Sequence, residues 1–433
     1  MEQLAARLGG VSVGCTHTGD GSLILRHCTI LNPVLGRLEA GRDIIVRDGT
    51  ITSISASGDS DAASGEWYDM AGLVLLPGLI DCHVHVTAFT ANLATLGETS
   101  PSYATAASAR IMEGMLRRGF TTVRDAGGAD FGLAMAIEEG LIVGPRLFFG
   151  GSALSQTGGH GDFRQAGRRG VEAGEAFPTP AILCDGVTEV RRASREILRT
   201  GAHHLKLMLS GGVASPTDRV ESTQFAIEEI RAAVDEASAA KRYVMGHAYT
   251  AEAINRGLDS GVRSIEHGNL LDESSIERLL RYDAFLVPTL VAYRAIAEDG
   301  LAVGLPASSV AKVGRVLDSG VASLEKAYRA GVHIAYGTDL LGGLQGRQSE
   351  EFSIRGQVQP AVEVIRSATT IAASLLGHAH DLGQIAVGFL GDIVAVDEDP
   401  MRSLEVLSRP ELHVKLVVKG GVVAYTTGVP HHG

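Results

Sequence analysis

The sequence predicts an α/β protein: a (β/α)8 TIM-like barrel over residues 78–382, with a small composite β-sandwich domain formed by both chain ends, 1–77 and 383–433. Three observations carry this expectation. Short apolar runs alternate with helical patterns eight times through the middle of the chain, as a parallel barrel requires. Both ends are instead rich in short strands and turn residues, so they read as one sheet domain. Glycine is also in excess, 54 of 433 residues or about 12% against a usual level of about 7%. The glycines lie singly among apolar runs, which marks many tight turns in one folded body rather than a linker or a collagen repeat.

The N-terminal strands are read at Ser22–Arg26, Asp43–Arg47, Ile51–Ile54 and Val74–Leu76, with a hairpin turn at Arg47-Asp48-Gly49. Their C-terminal counterparts are Asp392–Val396, His413–Val418 and Val422–Tyr425, with a turn at Lys419-Gly420-Gly421. Between them the eight barrel runs are Leu79–His85, Thr121–Asp125, Arg146–Gly150, His204–Met208, Tyr243–His247, Ser264–His267, Phe285–Pro288 and His333–Gly337. Helical stretches such as Ser108–Arg118, Gly186–Thr200, Ala226–Ala240 and Ser309–Ala330 separate them, each apolar at i, i+3 and i+4. An open doubly wound sheet is the rival arrangement. No GxGxxG opens the first helix, which disfavours a dinucleotide domain.

Composition narrows the partners. Lys plus Arg is 38 and Asp plus Glu is 50, a net charge of −12, so no basic footprint for nucleic acid is expected. No run of 18 or more apolar residues suggests a membrane span. The four cysteines, Cys15, Cys28, Cys82 and Cys184, form no CxxC pair or disulfide framework, which suits a reducing compartment. The first residues lack a basic start followed by an apolar run, so the expectation is cytoplasmic; a processed precursor would look the same.

The chemistry is expected at the C-terminal ends of the barrel strands. His83 and His85 sit two apart at the end of the first run, so both imidazoles project to one face. His247 ends the fifth run, His267 the sixth, and Asp339 follows the eighth. Barrel strands present their C-terminal ends at one mouth, where these five residues would meet around a divalent metal. Lys206 stands in the fourth strand among apolar neighbours. An ammonium there is costly to desolvate, whereas a neutral lysine amine reacts with carbon dioxide to a carbamate whose two oxygens can bridge two metals.

With these residues in place, Leu76-Pro77-Gly78-Leu79-Ile80-Asp81-Cys82-His83-Val84-His85 resembles the signature of the amidohydrolase superfamily. The resemblance spans nearly the whole chain. It includes the hairpin Val46–Ile51 and the closing segment Gly391–Asp397. Lys206-Leu207-Met208 with Gly211-Gly212, the loop Thr157–Asp162, and Gly246-His247-Ala248-Tyr249 look like the imidazolonepropionase-related group. That group includes Xaa-Pro dipeptidases and carboxypeptidase-like ochratoxinases. Ile371 departs from the pattern, since many relatives carry Asn there.

The resemblance implies His83, His85 and Asp339 on one metal, His247 and His267 on a second, and N6-carboxylysine at Lys206 between them. Two divalent ions, zinc above cobalt, manganese or iron, are expected from the dominance of nitrogen donors. Such a pair acidifies the attacking water, and Asp339 would shuttle its proton to the leaving amine. Tyr249 and His160 are expected to hold the substrate's carbonyl or terminal carboxylate, with Gly158, Gly159 and Gly161 making the His160 loop a candidate lid. Phe89, Phe163 and Tyr293 are read as possible pocket lining, Arg219 and Arg347 as less favoured carboxylate partners, and His203 and His333 as structural. His431 and His432 read as a disordered end.

The function expected is a binuclear hydrolase that releases a C-terminal amino acid from a dipeptide or N-acyl amino acid, ochratoxin-type amides included. Its partners are a small amide or dipeptide substrate and copies of itself, since relatives in this group form tetramers or octamers. A mononuclear deaminase or cyclic-imide hydrolase is the alternative, and Lys206 argues against it. A non-catalytic assembly protein on the same scaffold would be expected to have lost ligands, and all six remain.

Overall fold

The computed structural model describes residues 22–58, 67–164, 179–215 and 217–432, so Cys15 lies outside it. The end strands form where alternation and turn residues place them. Ser22–Asn32 pairs antiparallel with Arg37–Arg47, which pairs with Thr50–Ala56 across a two-residue turn. Both turn residues, Asp48 and Gly49, are left-handed at φ +48° and +77°, the conformation that two-residue hairpins need and that Asp and Gly supply cheaply.

Val74–Pro77 joins the two chain ends: it pairs with Ser22–Asn32 on one side and Ile393–Val396 on the other. Val414–Lys419 and Val422–Thr426 extend the sheet, which has nine strands. Its central strands Val74–Pro77 and Ile393–Val396 are apolar on both faces because both faces are covered. Ile393 and Ala395 enter a core with Leu25, Ile44 and Val418, while the alternate residues Val394 and Val396 enter the main core. His431 and His432 are held in a strand, contrary to the disordered end expected. His431–His432 pairs with the Trp67–Asp69 strand, and His431 stacks on Tyr68 at 4.5 Å and His432 on Trp67 at 4.2 Å.

All eight runs of the middle contain parallel strands, but they do not make one eight-stranded ladder. Leu79–Val84, Phe120–Asp125 and Arg146–Phe148 form a three-stranded sheet. A seven-stranded sheet runs from Ala181–Leu183 through Ala153–Ser155, His204–Met208, Tyr243–Thr250, Ser264–Leu270 and Phe285–Val287 to His333–Ile334. The closed barrel expected from the sequence is thus not closed by ladder pairing. Its third and eighth runs are shorter than read, ending as strands at Phe148 and Ile334; left-handed Gly151, at φ +65°, follows the third. Backbone bonds outside the ladders cross the two seams: His203 N to Phe149 O at 2.9 Å at one, and Cys82 N to Tyr336 O and Asp339 N to His83 O, both at 2.8 Å, with Thr338 N to His83 O at 3.2 Å, at the other.

The helices read from apolar spacing are present as Pro101–Arg117, Gly186–Arg199, Ile227–Ala239 and Ala307–Arg329. The first starts a turn or more earlier than expected, at a proline whose missing N–H costs nothing there. Among the described residues no helix is long and apolar enough to cross a membrane. The strand His204–Met208 shows how packing serves the site. Leu205 and Leu207 are fully buried in the main core, each contributing roughly 1.5–3 kcal/mol. By alternation, Lys206 faces the opposite way, and that burial holds it there.

Candidate active site

His83 and His85 meet Asp339 as their spacing predicts. Their Nε2 atoms lie 3.4 and 3.2 Å from Asp339 Oδ1. The other ring nitrogens are already engaged: His83 Nδ1 at 2.7 Å from Glu266 Oε2, and His85 Nδ1 donating to Gly127 O at 2.9 Å. A partner at Nδ1 fixes the tautomer and turns the Nε2 lone pair outward, as in histidines that ligate metals. Burial works to raise the Asp339 pKa, but His83, His85 and His267 outweigh it and hold the carboxyl well below its usual range. Protons on these Nε2 atoms must leave for a cation to enter; with both rings neutral and protonated at Nδ1, two imidazole nitrogens and a carboxylate at this distance form a donor set suited to a divalent ion.

His267 and His247 stand beside this group. The His267 ring is 5.0 Å from His83 and 4.6 Å from His247, centroid to centroid. His267 Nδ1 is 2.7 Å from Thr289 Oγ1 and His247 Nε2 is 3.1 Å from Gly211 O, leaving one nitrogen of each ring for a ligand. Lys206 is 2% exposed and lies within electrostatic reach of Asp339, His247 and His267. Burial pulls its amine down to about 8, with Glu266 and Asp339 opposing. Five of the six residues singled out in the sequence therefore gather in one cluster, and Lys206 lies buried within electrostatic reach of it. A second group of metal-type side chains, His378, His380 and Asp381, follows the helix Thr370–Leu376, and there His378 is already the partner of Asp381 at 3.1 Å.

Two of the six use backbone that ordinary residues avoid. His267 has φ +76° and Asp339 φ +55°; Asp tolerates this region, while for His267 it is a local cost of order 1–3 kcal/mol of the kind that clusters at functional sites. The reason is geometric. Adjacent strand residues point to opposite faces, yet Glu266 and His267 both reach this cluster. The left-handed step at His267 breaks the alternation.

His160 and Tyr249 also arrive at the cluster. The His160 ring stacks on His247 at 4.2 Å and 19°, and the Tyr249 ring is 4.9 Å from His247 and 5.2 Å from His267. Tyr293 donates from its hydroxyl to Tyr249 at 3.2 Å, so it reaches the site through a hydrogen bond. The His160 loop is tied down rather than open: His160 N donates to Gln224 Oε1 at 2.9 Å and Gly161 N to Ser155 Oγ at 3.0 Å. A Cβ on Gly212 would stand well under 3.0 Å from His160 Cε1, closer than any real contact, which is why the chain has glycine there. The continuation of that loop, 165–178, lies outside the described residues.

Other candidates go elsewhere. Arg347 is held by Glu298, Asp299 and Glu350, and the Arg219 side chain is 82% exposed near Glu221. Phe89 packs edge-on against Tyr103, and Phe163 is half-buried. His203 accepts from Phe149 N and His333 pairs with Asp283, both as structural residues.

The sequence reading missed the support beneath His83. Glu266 is fully buried and bonded to Arg124 at 2.9 Å, and Arg124 also donates to Cys82 O at 2.6 Å and Ser264 Oγ at 3.1 Å. Burial alone would raise the Glu266 pKa; Arg124 and His83 reverse that and hold it at about 2. A signal existed. Arg124 and Glu266 are charges inside apolar strand runs, where a paired partner is the physical expectation.

Histidines and an aspartate gathered at the ends of parallel strands, over a buried charged support, define a hydrolase of carbon–nitrogen bonds once the relatives are set beside them. The chain belongs to the amidohydrolase family, whose pattern matches residues 74–423. It is 36% identical to the ochratoxinase of Aspergillus niger over 377 residues, which covers 82% of this chain and 76% of that protein. A crystal structure of a prolidase complexed with N-methylphosphonate-L-proline superposes with a TM-score of 0.92 at 43% identity, covering 94% of this chain and all of the other. A Xaa-Pro dipeptidase with bound methionine in its active site gives 0.84 at 28% identity, with 94% of this chain and all of the other covered. The chain is thus a hydrolase acting on amide or peptide bonds, in the ochratoxinase and dipeptidase-like group, as its motifs imply.

Proposed function

We propose that this chain is a binuclear metal-dependent amidohydrolase that releases a C-terminal amino acid from a dipeptide or N-acyl amino acid. The carrying observation is the cluster of His83, His85, His247, His267 and Asp339, with His160 stacked at its edge and buried Lys206 within electrostatic reach. His83, His85 and Asp339 would hold one ion, His247 and His267 the other, with carboxylated Lys206 between them. Two zinc ions there would supply Lewis acidity and an acidified water. The same reading takes the two parallel sheets as arcs of one (β/α)8 barrel, joined at the seams by the backbone bonds described. It takes the nine-stranded sheet as the composite domain of residues 1–77 and 383–433. An assembly of four or eight copies in the cytoplasm goes with it; light scattering at a monomer's mass would dismiss the assembly.

The chain's own groups then divide the work. Asp339 takes a proton from the attacking water on a carboxylate oxygen and passes it to the leaving amine. His160 and Tyr249 orient the substrate's carbonyl or terminal carboxylate. The Lys206 amine, at about 8, is neutral often enough near neutral pH to add carbon dioxide, its nitrogen bonding the carbon and releasing a proton. A panel of dipeptides and N-acyl amino acids, given to zinc-loaded protein, is expected to yield the free C-terminal amino acid. A panel left intact while cyclic imides are opened would favour the alternative reading.

Metal counting separates the two readings further. The wild-type protein is expected to hold two ions per chain, and Lys206→Met at most one. Carbon-13 bicarbonate is expected to produce a carbamate resonance that Lys206→Met lacks. One tightly bound ion in the wild type, with no carbamate signal, removes the binuclear assignment.

A further inference from the structure

Lys312 belongs to the long helix Ala307–Arg329, yet its side chain reaches into the loop that carries Gly212, Ser215 and Asp218. Its ammonium donates to Ser215 O and Asp218 O at 2.9 Å and to Gly212 O at 3.1 Å, with Asp218 Oδ1 at 3.5 Å. Three donors meet three backbone carbonyls, which is the full capacity of a lysine head. Carbonyls of an irregular segment need some partner, and one cation supplies it for three of them.

The same loop grips His160. Ser215 Oγ lies 2.9 Å from His160 Nδ1, and Asp218 Oδ2 lies 3.5 Å from the same nitrogen. Asp218 in turn accepts from Ser215 Oγ, from Gly212 N at 3.0 Å and from Gln224 Nε2 at 3.2 Å. Gln224 also holds the backbone N–H of His160. One ring nitrogen of His160 is therefore committed to this loop and one ring face to His247, which leaves Nε2 to meet a substrate.

We propose that Lys312 is a positioning residue for substrate recognition: it fastens the loop whose Ser215 and Asp218 aim the His160 ring at the substrate's terminal carboxylate. The proposal deepens the reading of His160 as a substrate contact and rests on it. Lys312 touches neither the metal-type cluster nor the reacting atoms, so its removal acts on binding and not on the chemical step.

The test is a double-mutant cycle on the metal-loaded enzyme, with N-acetyl-L-phenylalanine and its carboxamide as probes. Lys312→Met is expected to raise KM for the acid about tenfold, with kcat and bound metal little changed. In a His160→Ala background the same change is expected to be nearly silent, because coupled residues do not add. The carboxamide, which lacks the carboxylate, is expected to respond to neither change. An equal KM rise with and without His160, or a loss confined to kcat, overturns the proposal. If His160→Ala itself leaves KM unaltered, the substrate-contact reading has failed instead. Amide hydrogen exchange needs no substrate and judges Lys312 separately. The Gly212 N–H is expected to exchange about tenfold faster in Lys312→Met while the helix Ala307–Arg329 is unchanged. Unchanged exchange at Gly212 overturns the fastening role.

Discussion

Asp339→Asn is expected to lower turnover by about 10²–10⁴-fold, the usual worth of a positioned proton-transfer group, while most of the bound metal remains. The substitution keeps shape and one oxygen donor but removes the atom that accepts a proton. Its backbone would not move, because the Asp339 N–H is held by His83 O at 2.8 Å and the residue already occupies a left-handed conformation that Asn also tolerates. The rings of His83 and His85 keep their own anchors at Glu266 and Gly127. The measurement is kcat at full metal loading, with metal content determined on the same sample. A variant that keeps near-normal kcat would mean that another group moves the proton.

The second large effect is on stability. Arg124→Met is expected to destabilise the metal-free protein by about 3–5 kcal/mol at neutral pH, because it leaves a buried carboxylate without its cation. The sign of the pH dependence follows from Glu266, whose pKa is lowered from 4.5 to about 2 in the fold. A carboxyl with a depressed pKa contributes stability above its unfolded value, and that contribution is lost as pH falls through the folded one. Removing Arg124 takes away its main support. The gap between the two proteins is therefore expected to be widest above pH 4.5 and to narrow toward pH 2. Urea midpoints at pH 7 and at a pH between those two values would show it. A gap constant with pH would assign the loss to packing around Cys82 and Ser264.

What could be read in advance was what strand geometry and residue type determine locally. Period-two alternation put His83 and His85 on one face, and apolar runs ending in His or Asp marked the other strand ends. The neighbours across the fold were not legible. Glu266 supports His83 from a strand far away in the chain, and a regular strand would have turned it away from His267. Nothing local in the sequence marks Lys312; only the packing of its helix against the loop shows what it holds. The ladder seams were equally hidden, since apolar runs do not show where strand pairing stops, at Phe148 and Ile334. The two terminal histidines were misread because nothing local indicates that Trp67 and Tyr68 provide them with a stacking surface.

The pairing of Val74–Pro77 with Ile393–Val396 has a consequence for how the protein is made. The first half of the sheet leaves the ribosome long before its partner strands exist. At roughly 5–20 residues per second, the roughly 300 intervening residues take about 15–60 s to synthesise. Throughout that interval the nascent chain displays an unpaired strand edge and an uncovered apolar face, the features that invite association with neighbouring chains. A chain cut short before residue 393 would lack the strand that pairs with Val74–Pro77, and would keep that edge open rather than make a smaller enzyme.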